Sequence, residues 1–565
     1  MSALTLISFV FFTGLVAVIS WWKTRSENLE TSAGYFLGGR SLSGIVIAGS
    51  LLLTNLSTEQ LVGMNGQGFS AGLAVMGWEV TSGFTLVLMA LIFLPRYLRG
   101  GIATVADFLE KRYDAGTRNI IAGLFLLSLG GIFLPTVLYS GALALDRLFG
   151  VQEALGVGPQ TALIIMVWAI GIVGSIYAIF GGLKAVAISD TVNGVGLLIG
   201  GMLIPILALI KLGDGSFGEG WSTLINVHPE KLNAIGDSDS PVPFGALFCG
   251  IMLINVFYWC TNQAIVQRTF AAKNLAEGQK GVLYAGFLKI FAPFILVIPG
   301  IAAFHLFPEE VSNPDFAYPV LVAKILPTSL IGFFGAVLFG AILSSFNSAL
   351  NSASTLFALN LYRPVVKPDI NDKDLVKVCK IFGIGLAIFS MLVAPYIANA
   401  PDGLFTFMKK FMGFFNIPTL IVILVGFFTA RVSAFAAKAT IALYMGLYGI
   451  FQFVFPVDMS FLYLLGILFA VCTIFMLIVG KLKPHAEAYV QETAGGVDLT
   501  PWKYAWHVSA AAVIAMIAVY ATFSPWGLIA PAAERSQNMW VIGSATAIAA
   551  VVAWILCAKK ARTTS

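Results

Sequence analysis

Charge is what this sequence has least of. Asp, Glu, Lys and Arg together make up 11% of its 565 residues, whereas a soluble domain carries about 25%. With 58% of the residues hydrophobic, that shortage excludes an ordinary water-soluble class and points to a chain solvated by lipid. Histidine is scarce too, with four residues scattered along the chain and no metal-ligand spacing among them. The five cysteines (Cys249, Cys260, Cys379, Cys472, Cys557) sit in or beside apolar runs without zinc or redox spacing, so they are read as packing residues. No H-E-x-x-H stretch is present, and no nucleophile constellation of a membrane-embedded enzyme is expected. The net charge of +5 does not mark a nucleic-acid binder, because of where the basic residues lie.

What the chain has in abundance is apolar runs long enough to cross about 30 Å of hydrocarbon. They fall at 4–22, 43–65, 72–95, 119–146, 161–180, 187–210, 243–265, 281–306, 329–358, 381–399, 403–429, 439–456, 459–480, 505–525 and 538–557. That makes an all-α integral membrane protein of about fifteen transmembrane helices. The first run lacks an A-x-A cleavage site and is read as a retained span. With the N-terminus outside, 25 of the 33 basic residues fall in inner loops and 5 outside, while Lys289, Lys409 and Lys410 lie within spans. This is the bias the positive-inside rule requires. It places the C-terminal "KKARTTS" in the cytoplasm and the protein in the plasma (inner) membrane. The longest outer loop, roughly 211–242, is too short for a separate soluble domain, so the work is done inside the bilayer. Neither a filter motif nor rings of like charge, the usual marks of a channel, stand out, which leaves a secondary transporter.

Transporters of that kind bind substrate near the midplane, where helices break. The stretch "LLLTNLSTEQLVG" at 51–63 puts six polar residues into the second span. Ser57-x-x-Gln60 matches a capping box, so the span is expected to stop near Leu53, unwind, and restart at Ser57. Carbonyls freed at that depth need a partner: a bound cation, or else neighbouring helices around a kink. Five spans later "LINVFYWCTNQAIVQR" repeats the pattern with Asn255, Tyr258, Thr261, Asn262 and Gln263. Because five is odd, a second five-helix unit is inserted upside down, which is the inverted-repeat arrangement.

Other intramembrane polar groups are expected to face the same cavity. Glu79 and Ser82 share a helical face in span three, and Lys289 lies well inside span eight. Glu79 and Lys289 either pair with each other or both meet a polar ligand. In span nine, "GAILSSFNSALNSAS" carries small polar residues of the kind that serve helix packing. Its adjacent Ser344 and Ser345 also offer two hydroxyls to a hard monovalent ion, and no carboxylate beside them favours Ca²⁺.

These segments resemble a known family. "SLSGIVIAGSLLLTNLSTEQLVGMNGQGFSAGLA", "YAIFGGLKAVAISD", "NVFYWCTNQAIVQRTFAAKNLAEGQKG" and "GAILSSFNSALNSASTLFALNLYR" look like the sodium:solute symporters, and among them most like bacterial sodium/sugar (glucose/galactose) cotransporters. The likeness runs to about residue 480. It implies a leucine-transporter-type fold, a five-plus-five inverted repeat with flanking helices. An N-terminal extra helix and inner loop (1–42) would precede the transport core at 43–429, with a first repeat at 43–211 and a second at 243–429. Accessory helices at 430–565 would follow.

The resemblance also implies a sodium site made by the carbonyls of Leu53, Leu56 and Ala341 with the hydroxyls of Ser344 and Ser345. It implies a sugar site of Gln60, Glu79, Ser82, Asn255 and Lys289, with Tyr258 stacking on the ring as an inner gate. Asp190 matches a residue on the sodium exit path, and Met64, Trp78 and Phe405 stand where the family places outer gate residues. Lys409 departs from the pattern, standing where the sugar cotransporters carry a glutamine that touches the sugar. It either snorkels to the interface or draws an anionic sugar (uronate, sulfated or sialylated) into the site. The expectation is a sodium-coupled importer of a neutral hexose, not an enzyme, working as a monomer with sugar, Na⁺ and the bilayer as partners and no nucleic acid. An anionic sugar and proton coupling are the alternatives.

Overall fold

In lipid every backbone amide and carbonyl must be satisfied within its own segment, so apolar runs fold as helices. The computed structural model describes residues 3–25, 29–399 and 404–563, and the last two residues of "KKARTTS" lie outside them. Among the described residues there are no β-strands. We number the membrane-crossing helices in chain order. The first is α1 (Ala3–Thr24), followed by α2 in two pieces, α2a (Gly44–Asn55) and α2b (Thr58–Ala71), and by α3 (Gly77–Leu88, continuing to Arg99). Then come α4 (Ala115–Phe149), α5 (Pro159–Ile179) and α6 (Gly181–Leu212). The next, α7, is again in two pieces, α7a (Gly250–Cys260) and α7b (Gln263–Phe270), and α8 (Leu275–Phe291 with Pro293–Leu306) is bent. The chain completes with α9 (Thr328–Leu356), α10 (Asp372–Val393), α11 (Leu404–Phe428), α12 (Ala434–Gly449), α13 (Phe461–Leu482), α14 (Ala505–Thr522) and α15 (Ala532–Lys559).

The run Thr58–Arg99 is 42 residues of nearly continuous helix, yet it holds the end of one span and the whole of the next. Lys289 Nζ bonds both Asn55 and Glu79; along a straight helix those residues would stand about 36 Å apart at 1.5 Å per residue. The chain reverses at Gly72 (φ +77°), where a Cβ would lie 2.5 Å from the Lys231 carbonyl. Counted this way the described residues form fifteen spans. The short inner loop expected at 181–186 is a single hinge, Gly182, with φ +64° and ψ −176°, a conformation open only to glycine. Wide turns at Met89–Phe93 and Leu127–Phe133 each precede a proline, Pro95 and Pro135, and absorb the amide that proline lacks.

The two broken helices, α2 and α7, are held at the centre. Helix α2a packs against α6 and α8, α2b against the second piece of α8 and against α4, and α9 lies against α5 and α6, α1 and α4. Helix α7a packs on α3 and α11, while α7b meets α2a and α9. The segment leading into α2a and the one leaving α7b are tied by backbone bonds of Leu42 N to Ala271 O (3.0 Å) and of Lys273 N to Leu42 O (3.1 Å). Helices α14 and α15 pair with each other at the periphery, and α15 exposes Trp540, Ile548 and Trp554.

Candidate functional site

The first break sits two residues later than expected. Helix α2a runs through Asn55, the Leu56 amide bonds Leu52 O at 2.8 Å, and Ser57 is extended (φ −97°, ψ 177°) before α2b starts at Thr58. The capping box does not form: no side-chain bond caps α2b. The Ser57 amide that Gln60 would have met bonds Asn55 O at 2.9 Å instead. Four carbonyls, Leu53 to Leu56, lose their helical donors as a result; Thr54 O accepts from Ser345 Oγ and Asn55 O from the Ser57 amide instead, which leaves Leu53 O and Leu56 O. The donor for Leu53 O would be that same Ser57 amide, and the donor for Leu56 O, the Gln60 amide, bonds Ser57 O at 3.1 Å.

Helix α9 brings Ser345 to this opening. Ser345 Oγ donates to Thr54 O at 3.1 Å. Ser344 Oγ is buried beside the Asp190 carboxylate with no hydrogen bond of ordinary length. Ala341 lies one helical turn before the pair, and all five residues implied as sodium ligands are buried. Carbonyl and hydroxyl oxygens without a histidine, a cysteine or a carboxylate cluster suit a hard monovalent cation. No group of three or more His, Cys, Asp and Glu side chains fit to hold another metal occurs among the described residues.

On the other side of the break is a cavity of about 460 Å³, counted to its open mouth. Asn55, Glu59 and Gln60 of α2, Tyr258 of α7a, and Lys409 and Asn416 of α11 line it, with Met408 and Met412 as apolar walls. Glu59 Oε2 and Gln60 Oε1 are buried there without a hydrogen-bond partner, so two acceptors await donors. Lys409 does not snorkel outward. Its ammonium lies 4.9 Å from the ring of Phe405, 5.6 Å from that of Trp78 and 5.9 Å from that of Tyr258, a cage whose ring faces attract a cation. Trp78 and Phe405 meet edge to face at 5.6 Å, and Met64 is buried one turn beyond Gln60.

The other expected sugar contacts form a second group behind this cavity and do not line it. Lys289 pairs with Glu79 and also donates to Asn55 at the break, all of them buried. Asn255 Nδ2 donates to Trp78 O (3.0 Å) and to Thr81 Oγ1 (2.7 Å), and Ser82 Oγ to Trp78 O (3.1 Å). Asp190, on α6, accepts from Ser50 Oγ at 2.6 Å and pairs with Arg268 at 3.6 Å. Arg268 itself escaped the sequence reading, which assigned it to an inner loop by position; it is fully buried on α7b. Glu59, Asn55 and Asn416 were likewise not anticipated as lining residues. A G-x-S-x-G string does occur, at 68–72, but Ser70 lies on helix and its hydroxyl bonds Gly66 O at 3.1 Å, with no catalytic geometry.

Against known proteins, the sodium:solute symporter family model matches residues 35–449. The chain belongs to that family. The symporter is 50% identical to "Uncharacterized symporter YidK" of Escherichia coli (strain K12), over 93% of this chain and 92% of that one. It is 31% identical to the sodium/glucose cotransporter of Vibrio parahaemolyticus, over 77% and 82% respectively. In structure it is similar to a Na⁺-coupled sialic acid symporter in a substrate-bound outward-open state, with a TM-score of 0.74 and 21% identity, covering 86% of this chain and 98% of that one. That likeness fixes the fold as the leucine-transporter type, an inverted repeat of five plus five helices with flanking helices. The symporter is a multi-pass membrane protein, and sodium is its coupling ion.

Proposed function

We propose that this symporter uses sodium to import a monosaccharide, a hexose such as galactose or glucose, by alternating access. The observation that carries the reading is that one break in α2 both frees backbone carbonyls and lines the cavity. The carbonyls of Leu53 and Leu56 lose their helical donors on either side of Thr54, whose carbonyl accepts from Ser345, while Asn55 between them and Glu59 and Gln60, three and four residues past Leu56, line the cavity. Sodium held by Leu53, Leu56, Ala341, Ser344 and Ser345 orders the break and sets Gln60 toward the sugar, so each ligand favours the other. Hydroxyl groups both donate and accept, and the unpartnered Glu59 and Gln60 oxygens suit them. Tyr258 covers the ring face, and Met64, Trp78 and Phe405 close the outer side. Glu79, Ser82, Asn255 and Lys289 hold the wall and join the substrate when the sugar opens their mutual bonds. Sodium leaves past Asp190.

The transport unit is assigned to 43–429, with repeats 43–211 and 243–429 between the accessory segments 1–42 and 430–565. It acts as a monomer with the N-terminus outside and the C-terminus cytoplasmic. A second reading, an anionic sugar, is favoured by the Lys409 ammonium inside the cavity; Glu59 in the same lining opposes it. A sodium-dependent uptake screen in proteoliposomes, over neutral and acidic monosaccharides, decides. Uptake of a neutral hexose only with sodium outside is the expected result. Uptake of uronates alone selects the second reading, and uptake at low pH in sodium-free buffer replaces sodium by protons.

A further inference from the structure

Two of the four histidines, far apart in the sequence, meet at the C-terminal end of α8. His305 stands on the last turn of that helix, and His228 on the connector between α6 and α7a, just before a short turn at Pro229–Leu232. Their ring centroids are 5.3 Å apart, with the planes inclined at 56°. Phe304 packs edge-on against both rings, 5.3 Å from His228 and 5.8 Å from His305. His228 Nδ1 bonds Glu230 Oε1 at 2.9 Å. A carboxylate only accepts, so Nδ1 carries the proton of the neutral ring and Nε2 keeps its lone pair. His305 Nε2 is buried and has no hydrogen-bond partner.

With Zn–N bonds of about 2.0–2.1 Å and tetrahedral angles, two rings that share one ion have centroids about 5 Å apart. A carboxylate on the far nitrogen of a ligating imidazole is the usual outer partner of such an ion, fixing the tautomer and the ring. We propose that His228 and His305 form a binding site for a divalent transition metal of the zinc class, with Glu230 as the positioning residue of His228 and water completing the coordination. Imidazole nitrogens select such ions over Mg²⁺ and Ca²⁺. Two protein ligands are fewer than the four of a structural zinc site, so the ion is exchangeable. The nearby cation, Lys231, is engaged elsewhere: its ammonium donates to Phe69 O (3.0 Å) and Ser70 O (2.7 Å) at the end of α2b and lies 4.2 Å from the Phe304 ring centre. Glu230 balances its charge. A bound metal therefore ties the connector to α8 beside the end of α2b, away from the break and the cavity. In the orientation proposed above, that end faces outward.

The test is ⁶⁵Zn²⁺ equilibrium dialysis and thermal unfolding of the purified, untagged full chain at neutral pH, neither of which needs the sugar or sodium. Wild type is expected to bind one ion per chain and to melt at a higher temperature when Zn²⁺ is present. His228→Ala and His305→Ala each lose the ion. Glu230→Gln keeps both ligands but loosens the ring, and binds about 10- to 100-fold more weakly. Acidification below the ordinary imidazole pKa of about 6.5 releases the ion from wild type. The His228 side chain is 44% exposed, so where His305→Ala fails to fold without metal, His228→Ala and His228→Asn decide. Wild type binding no Zn²⁺ overturns the proposal. So does undiminished binding in a folded variant of either histidine, which would put the ion elsewhere on the chain, or an equal rise in melting temperature with Mg²⁺.

Discussion

Replacing Ser345 by alanine removes one hydroxyl from the place where α9 meets the break. In the structure that hydroxyl donates to Thr54 O at 3.1 Å, and neither Ser345 nor Thr54 lines the cavity. In the proposed sodium site it is one of five oxygens around the ion. A hydrogen-bonding contact to a charged group contributes about 1.5–3 kcal/mol, so losing it raises the sodium concentration for half-maximal transport by about 10- to 150-fold. The proposed sugar cavity lies on the other side of the break, so the sugar KM at saturating sodium is expected to change less than about threefold, allowing about 0.6 kcal/mol. The assay is initial uptake into proteoliposomes across a sodium series at two sugar concentrations. Identical sodium activation curves for Ser345→Ala and wild type would refute the placement of the ion.

Three further outcomes are expected. Asn255→Ala breaks the bonds to Trp78 O and Thr81 Oγ1; it should raise sugar KM, cost about 1–3 kcal/mol of stability and leave sodium activation unchanged, as checked by uptake kinetics and thermal unfolding in detergent. Lys409→Gln removes the caged ammonium; uptake of an acidic sugar should fall by at least about tenfold, the worth of one charge-assisted contact, while uptake of a neutral hexose persists in competition assays. Asp114, on the loop before α4, is pushed up by burial but held below the usual carboxylate range overall by Lys438 (2.6 Å) and by the Thr117 amide and hydroxyl. Its stabilising effect is therefore full above the unfolded pKa of about 3.9 and is lost as the pH falls through the lower folded value. Melting temperatures from pH 7 to pH 3 should fall more for wild type than for Asp114→Asn, and parallel curves would contradict this.

The spans were readable because lipid forces each apolar run into helix, and both interruptions were readable because polar residues stand at bilayer depth. Rotation was not. A helix apolar on every side carries no periodic signal of which face meets a neighbour, so Lys409 could be placed in α11 but not aimed, and Asn416 gave no mark of lining the cavity. Arg268 was lost for a different reason. Charge at the end of an apolar run reads as loop under the positive-inside rule, and only the fold brings Asp190 from α6 to meet it. The capping-box pattern failed because Gln60 turns to the cavity while Ser57 bonds within the break. The Glu79–Lys289 alternatives were resolvable only in three dimensions, where α3 and α8 lie side by side.

The central claim is that one ion at the break moves with one sugar in the cavity. The most direct measurement is the ratio of ²²Na⁺ to labelled sugar entering proteoliposomes at a clamped potential. The account predicts one sodium per sugar, with a negative interior of 100 mV, worth about 2.3 kcal/mol per charge, supporting about 50-fold accumulation on its own. Sodium entry that ignores the sugar, or sugar accumulation with no sodium present, would contradict it.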